Sequence, residues 1–331
     1  MSQQELCLIL HKMMQIGKDI QKAQQLLDQG EVVGIPTETV YGLAANALNE
    51  KAVAKIFEAK DRPSFNPLII HLASIAQISD YVEEIPPLIL PLLHHFCPGP
   101  LTFLLKKKTN IPDIVTAGSS LVAIRIPSHP MTQALLQKVN YPLAAPSANP
   151  FGYISPVSAQ HVYDQLQHKV PYVLDGGMCQ VGIESTIIGV EEDTLVVYRL
   201  GGITIEQIET LTGSKVRLAN KSKKSPQTSG MLKHHYAPKK ELLFFDNTIE
   251  AHEIKDDDCL LLFGENIQEI PSERQFTLSS NKDLQEAASK LFPLLHELDD
   301  SPYTRILVKA LPERGLGRAI NDRLKRASSN F

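Results

Sequence analysis

Apolar positions along the chain recur with two periods, and the periods alternate. Residues 19–29 carry Ile20, Ala23, Leu26 and Leu27 at helical spacing, and Gly30 closes that helix before Glu31-Val32-Val33-Gly34-Ile35 reads as a buried strand. Asn49 caps a second predicted helix with Val53, Ile56 and Phe57 facing the core, and an extended apolar run resumes at 67–72. Pro63 lacks an amide hydrogen and pushes Arg62 out of helical space, so this helix is expected to stop at Arg62 with its last side chains aimed outward. Further strands are predicted at 101–105, 122–126, 142–145, 172–174, 185–190 and 194–198, with helices at about 87–96, 130–139, 157–167 and 204–212. The alternation favours an α/β domain. The short Glu191-Glu192-Asp193 turn makes part of its sheet antiparallel, hence mixed.

The pattern breaks at 213–240, where Lys221-Ser222-Lys223-Lys224-Ser225-Pro226-Gln227-Thr228-Ser229-Gly230 is polar and basic with no apolar face, as in a linker. Beyond it, strands at 242–245, 259–263 and 305–308 and helices at 282–298 and 316–327 form a second α/β domain. The expected organisation is a catalytic domain at 1–212, a linker or lid at 213–240 and a smaller domain at 241–331. A length of 331 residues agrees, since one domain usually takes roughly 100 to 200.

With 43% hydrophobic and 21% charged residues, the chain has the composition of a globular protein. The net charge of -4 hides an asymmetry: from residue 241 onward 11 Lys and Arg face 17 Asp and Glu, leaving 22 against 20 for residues 1–240. An anionic ligand is therefore expected in the first part. Cys7, Cys97, Cys179 and Cys259 lack paired spacing and read as reduced, mostly buried thiols. No signal-cleavage pattern and no apolar run of about 18 residues is present, which makes a cytoplasmic location, away from membranes, the simplest expectation.

Several segments could carry chemistry. Pro36-Thr37-Glu38-Thr39-Val40-Tyr41-Gly42-Leu43 follows the first predicted strand, where α/β sheets place ligand contacts, although a capped turn into a helix explains it equally well. Lys60, Arg62, Asn66 and His71, spread over twelve residues, could supply charge and directed donors to phosphate or carboxylate oxygens. Taken singly, the two cations read as solvated charges and His71 as a core histidine. Arg125 lies in the middle of an apolar strand, and its partner is either an internal carboxylate or one on a ligand. Ala144-Ala145-Pro146-Ser147-Ala148-Asn149-Pro150, then Ser155, offers small residues and hydrogen bonds of both polarities, with no Gly-x-Ser-x-Gly nucleophile elbow. The glycine-rich turns at 175–177, 182–186 and 198–202, the last with Arg199, match neither a Walker loop nor a dinucleotide fingerprint.

Together and in this order, Pro36-Thr-Glu-Thr-Val-Tyr-Gly-Leu43, Lys60-x-Arg62-Pro63-x-x-Asn66-Pro67-Leu68-x-x-His71, Pro98-Gly-Pro-Leu-Thr102, Arg125-x-Pro127, Pro146-Ser-Ala-Asn149 and Glu184-Ser-Thr-Ile187 closely resemble YrdC-type threonylcarbamoyl-AMP synthases. Ser229-Gly-Met-Leu-Lys-His-His-Tyr-Ala-Pro238 and Gly315-Leu-Gly-Arg-Ala-Ile-Asn-Asp-Arg-Leu-Lys-Arg-Ala327 resemble the family's long, two-domain form, with Ser229 in place of an expected proline. The resemblance implies a YrdC-like domain with a twisted mixed sheet, joined by the basic linker to a Rossmann-like domain. It implies conversion of L-threonine, bicarbonate and ATP to L-threonylcarbamoyladenylate and pyrophosphate, with magnesium accompanying ATP. A downstream threonylcarbamoyl transferase machinery would use the product on tRNA, and a direct tRNA or RNA contact is a possible extension.

By the same resemblance, Thr39, His71, Arg125, Ala145 and Ser185 surround threonine. Arg62, Asn66, Ser147, Asn149, Ser155, Arg199 and Tyr236 hold ATP, with Lys60 and Arg62 in catalytic roles, no metal-ligating residue, and Tyr236 as a lid. Two alternatives come from elsewhere: an RNA-binding module, for which residues 1–240 carry only +2, and a carbamoyl-adenylate enzyme of metallocentre maturation, whose extra zinc-binding cysteines are not visible.

Overall fold

The computed structural model describes residues 14–219, 236–245 and 254–328. Cys7 and the linker motif through His235 lie outside the described residues. Eleven strands form the larger sheet: β1 (Gln15–Gly17), β2 (Val33–Ile35), β3 (Gly42–Asn46), β4 (Ile69–His71), β5 (Leu101–Lys106), β6 (Leu121–Arg125), β7 (Leu143–Ala144), β8 (Tyr172–Leu174), β9 (Thr186–Glu191), β10 (Thr194–Arg199) and β11 (Arg217–Leu218). Their order is β1-β8-β2-β3-β7-β4-β6-β5-β9-β10-β11, with parallel pairs such as β4·β6 and antiparallel ones such as β9·β10. The expected mixed sheet is present.

Four parallel strands, β12 (Glu241–Phe245), β13 (Asp258–Leu262), β14 (Gln275–Thr277) and β15 (Arg305–Lys309), form the second sheet in the order β12-β15-β13-β14. Helices Leu284–Asp299 and Leu316–Ser328 accompany it. The two units share an interior: Ile183, Ile203 and Ile208 belong to the same buried apolar cluster as Leu291, Phe292 and Ile320. Gly182, at φ +74°, lets helix Leu284–Asp299 come so close that a β-carbon there would lie 2.5 Å from Ser289 Cα.

Several sequence expectations need correction. Helix Glu50–Lys60 begins at Asn49, whose side chain accepts from the Lys51 and Ala52 amides. It ends before Arg62, because Asp61 turns left-handed at φ 51° and donates back to the Glu58 and Phe57 carbonyls. Its last cations do not point outward: Lys60 is 1% exposed and Arg62 5%. The polar word after β2 leads into strand β3 rather than a helix, since alternate small residues suit a central strand between β2 and β7. Within the segment read as linker, Arg217–Leu218 pairs with β10, a strand too short to show periodicity.

Candidate active site

Register gathers the chemistry at one end of the larger sheet. On parallel strands β4 and β6, His71 lies directly beside Arg125, and antiparallel β5 sets Thr102 opposite Arg125. Strand β9 starts next to β5, which brings in Glu184-Ser185 just before it, and antiparallel β10 ends there in Arg199. Side chains two apart share a face of a strand, so Ile69 and His71 both line the cavity formed here. That cavity is walled by Thr39, Val40, Ile69, His71, Arg125, Ala145, Pro146, Ser147, Glu184, Arg199 and Tyr236.

One wall is built on Arg125. Its internal partner is Glu38, with NH2 2.7 Å from Oε1, while NH1 donates to Thr39 Oγ1 at 2.8 Å and Nε to the Gly99 carbonyl. The partner left open by the sequence is thus a carboxylate of the same chain. Thr39 is further fixed by the Thr37 hydroxyl at 2.8 Å. Burial, reinforced by Arg125, pushes the His71 imidazole down to about 3, so the ring is neutral. Its Nδ1 has no hydrogen-bond partner among the described residues.

Arg199 is the second cation of the lining. It grips Ser185 through its carbonyl and hydroxyl, both at 3.0 Å, and Ser185 Oγ also meets Thr102 Oγ1 at 2.7 Å. Behind it, Arg62 donates to the Asn66 and Pro67 carbonyls at 3.3 and 3.0 Å, which ties the Pro63–Pro67 turn to the helix end. Burial pushes the guanidinium of Arg62 down to about 9, opposed by Tyr236 and deepened by Arg199; Arg199 itself is pushed down to about 10, chiefly by burial. Two guanidinium groups withdrawn from water near each other gain most from an incoming anion.

Of the residues proposed from sequence, Thr39, His71, Arg125, Ala145, Ser147, Arg199 and Tyr236 line the cavity directly. Ser185 and Arg62 stand behind that lining. Ser155 donates to Glu184 Oε1 at 2.6 Å, and Asn149 Nδ2 holds the Pro150 and Tyr153 carbonyls. Among the described residues, Asn149 Oδ1 and both polar atoms of the Asn66 side chain are buried without a hydrogen-bond partner, an arrangement costly unless a ligand completes it. Lys60 is not part of the lining. Its ammonium clamps the Ser147 and Asn149 carbonyls, and burial, then Arg62, pushes its pKa well below the usual lysine range.

Sequence reasoning quoted Glu184 and Arg323 within motifs but gave neither a role in the site. Glu184 is 6% exposed and, against the upward push of burial, Arg323, Arg199 and Ser155 hold its carboxyl below the usual range. Tyr236 is 1% exposed at φ 70° and stacks on Phe292 with ring centres 5.8 Å apart. The signal for Arg323 was a charge on the apolar face of its helix, between Ile320 and Leu324, which demands a partner as Arg125 did.

A mixed α/β sheet whose strand ends gather buried cations around one cavity has the YrdC-like fold. The chain belongs to the Sua5, YciO and YrdC family in its two-domain form. The family model described as telomere recombination matches residues 25–201, and that of the threonylcarbamoyl-AMP synthase C-terminal domain matches 203–329. Threonylcarbamoyl-AMP synthase of Pyrococcus abyssi is 37% identical over 93% of this chain and 94% of its own, and that of Bacillus subtilis 38% over 93% and 92%. Among solved structures, P. abyssi Sua5 complexed with L-threonine superposes with a TM-score of 0.86 at 35% identity, covering 95% of this chain and 97% of that one.

Proposed function

We propose that the chain is an L-threonylcarbamoyladenylate synthase, a nucleotidyltransferase joining L-threonine, bicarbonate and ATP. Threonine's amine and bicarbonate give a carbamate and water. A carbamate oxygen then attacks the α-phosphorus, and the bond to the β-phosphate breaks to release pyrophosphate. The observation that carries this reading is the gathering of two recognition groups in one cavity: Thr39, Arg125, His71 and Ala145, and Arg199 backed by Arg62. The first suits a small amino acid with a hydroxyl and a carboxylate, the second a polyphosphate.

The chemistry needs positioning and charge neutralisation rather than a side-chain nucleophile. Holding reactants in attack geometry supplies about 7 to 11 kcal/mol. Burial pushes the Cys97 thiol up to about 12, and Cys179 higher still, so neither is a poised nucleophile. Among the described residues no group of three or more His, Cys, Asp or Glu is placed to hold a metal. Glu38 is committed to Arg125, and Glu184 to Ser155 and Arg323. Magnesium would enter on the triphosphate, as part of the substrate.

The product, a mixed anhydride, must be consumed by transfer of the threonylcarbamoyl group to tRNA adenosine, performed by a separate machinery in the cytoplasm. No described helix is long and apolar enough to cross a membrane. Incubation with ATP, bicarbonate and labelled threonine should release pyrophosphate and yield labelled adenylate. Pyrophosphate release indifferent to threonine would overturn the reading.

A further inference from the structure

Arg323 is the largest fully buried side chain among the described residues, and it comes from the last helix, 139 and 123 positions from two of its partners. A guanidinium withdrawn from water survives only when its donors are used. Here Nε donates to Glu184 Oε2 at 2.9 Å, NH2 to the Leu200 carbonyl at 2.7 Å and NH1 to Asp322 Oδ2 at 3.2 Å. Its Cζ also lies 5.2 Å from the centre of the Tyr236 ring. One planar group therefore fixes two walls of the cavity, because Glu184 and Tyr236 both line it.

The links continue on both sides. Glu184's other oxygen accepts from Ser155, while Tyr236 is held from behind by Phe292 of helix Leu284–Asp299. Arg199 lines the cavity with Glu184 and Tyr236 and is close enough for its guanidinium to interact with both. We propose that Arg323 is a positioning residue for the nucleotide half of the site, acting through Glu184 and Tyr236, so that the second domain completes the catalytic cavity. The inference rests on the nucleotide reading given above.

Lysine does not replace it. A single ammonium cannot span a carboxylate, a carbonyl and a ring face at once, as the planar fork does. Removing the charge alone leaves Glu184 buried and unpaired, so a loss of folding must be separated from a loss of positioning.

Full-length wild type, Arg323→Met, Arg323→Lys and the double variant Glu184→Gln/Arg323→Met separate the two. ATP binding is read by titration calorimetry, and the Michaelis constants by pyrophosphate release. ATP affinity should fall about tenfold or more in all three variants, while the KM for threonine moves less than about threefold. The double variant, lacking the buried charge pair, should keep that ATP defect even where its thermal midpoint recovers. ATP affinity within about twofold of wild type in Arg323→Met, or equal losses for ATP and threonine, would overturn the positioning role. Absence of threonine-dependent turnover in the wild type would instead sink the synthase reading, and the calorimetric comparison would still decide for or against Arg323.

Discussion

Glu38 and Arg125 meet at 2.7 Å with side chains only 9% and 5% exposed, which joins the loop after β2 to the end of β6. The pair organises the site before any substrate arrives, because Thr39 and the Ser128 amide hang from the same two side chains. Removing one partner leaves the other buried and uncompensated. Glu38→Ala should therefore cost about 3 to 5 kcal/mol, measured as the shift in urea midpoint at constant slope. A loss below about 1 kcal/mol would mean the guanidinium finds water or another acceptor.

Arg62 stands behind the cavity lining and His71 on it, nine residues apart in sequence, and kinetics can tell them apart. Arg62→Ala should chiefly raise the KM for ATP, and His71→Ala chiefly that for threonine. About tenfold is the expected scale for either, since one charge-assisted or directed contact is lost. The measurement is pyrophosphate release with each substrate varied in turn. Equal losses in both constants for both variants would reduce the segment to scaffolding.

That segment also shows what the sequence made legible. Residue types at 60, 62, 66 and 71 suggested an anion site, of which His71 reaches the cavity lining, and Pro63 announced a break. Their burial was not announced, because it is produced by residues far away: Lys60 reaches the Ser147 carbonyl across 87 positions, and the Phe151 amide closes on the Lys60 carbonyl. Hydrophobic periodicity is local and cannot report such closure. Glu38 and Arg125 had both been noticed, yet only the register of β6 and the turn after β2 make them partners. Arg323 was harder still, since Glu184 and Tyr236 reach it only after the second domain has docked.

Acid should weaken the folded state through His71. Its folded pKa of about 3 lies below the ordinary 6.5, so between those values the unfolded chain binds a proton that the folded chain refuses. Stability contributed by the neutral ring is present above about pH 6.5 and declines as pH falls. The loss is on the order of 2 kcal/mol at pH 5. His161, held down to about 4, and His296 act with the same sign. His71→Asn should flatten, without abolishing, the fall in urea midpoint between pH 7 and pH 5. A slope identical to wild type would mean His71 carries its proton in the folded protein.

Gly201 gives the sharpest steric test, because the turn after β10 runs against the backbone that presents Glu184 and Ser185. A β-carbon at 201 would lie 2.3 Å from the Glu184 carbonyl oxygen and 2.5 Å from both Ser185 C and Thr186 N. All three are main-chain atoms, so no rotamer change relieves the clash, and either the turn or the start of β9 must move. Ser185 is gripped by Arg199 and Thr102, and Glu184 by Ser155 and Arg323, so movement there disturbs the cavity. Gly201→Ala should cost about 1 to 3 kcal/mol of stability by overpacking and lower kcat/KM for ATP and threonine together. Gly213→Ala is the control: its φ of +65° brings strain, but no atom of the described residues lies within 4 Å of the added carbon, so activity should persist. Equal activity in both variants would show that the 201 turn yields without moving Glu184 and Ser185.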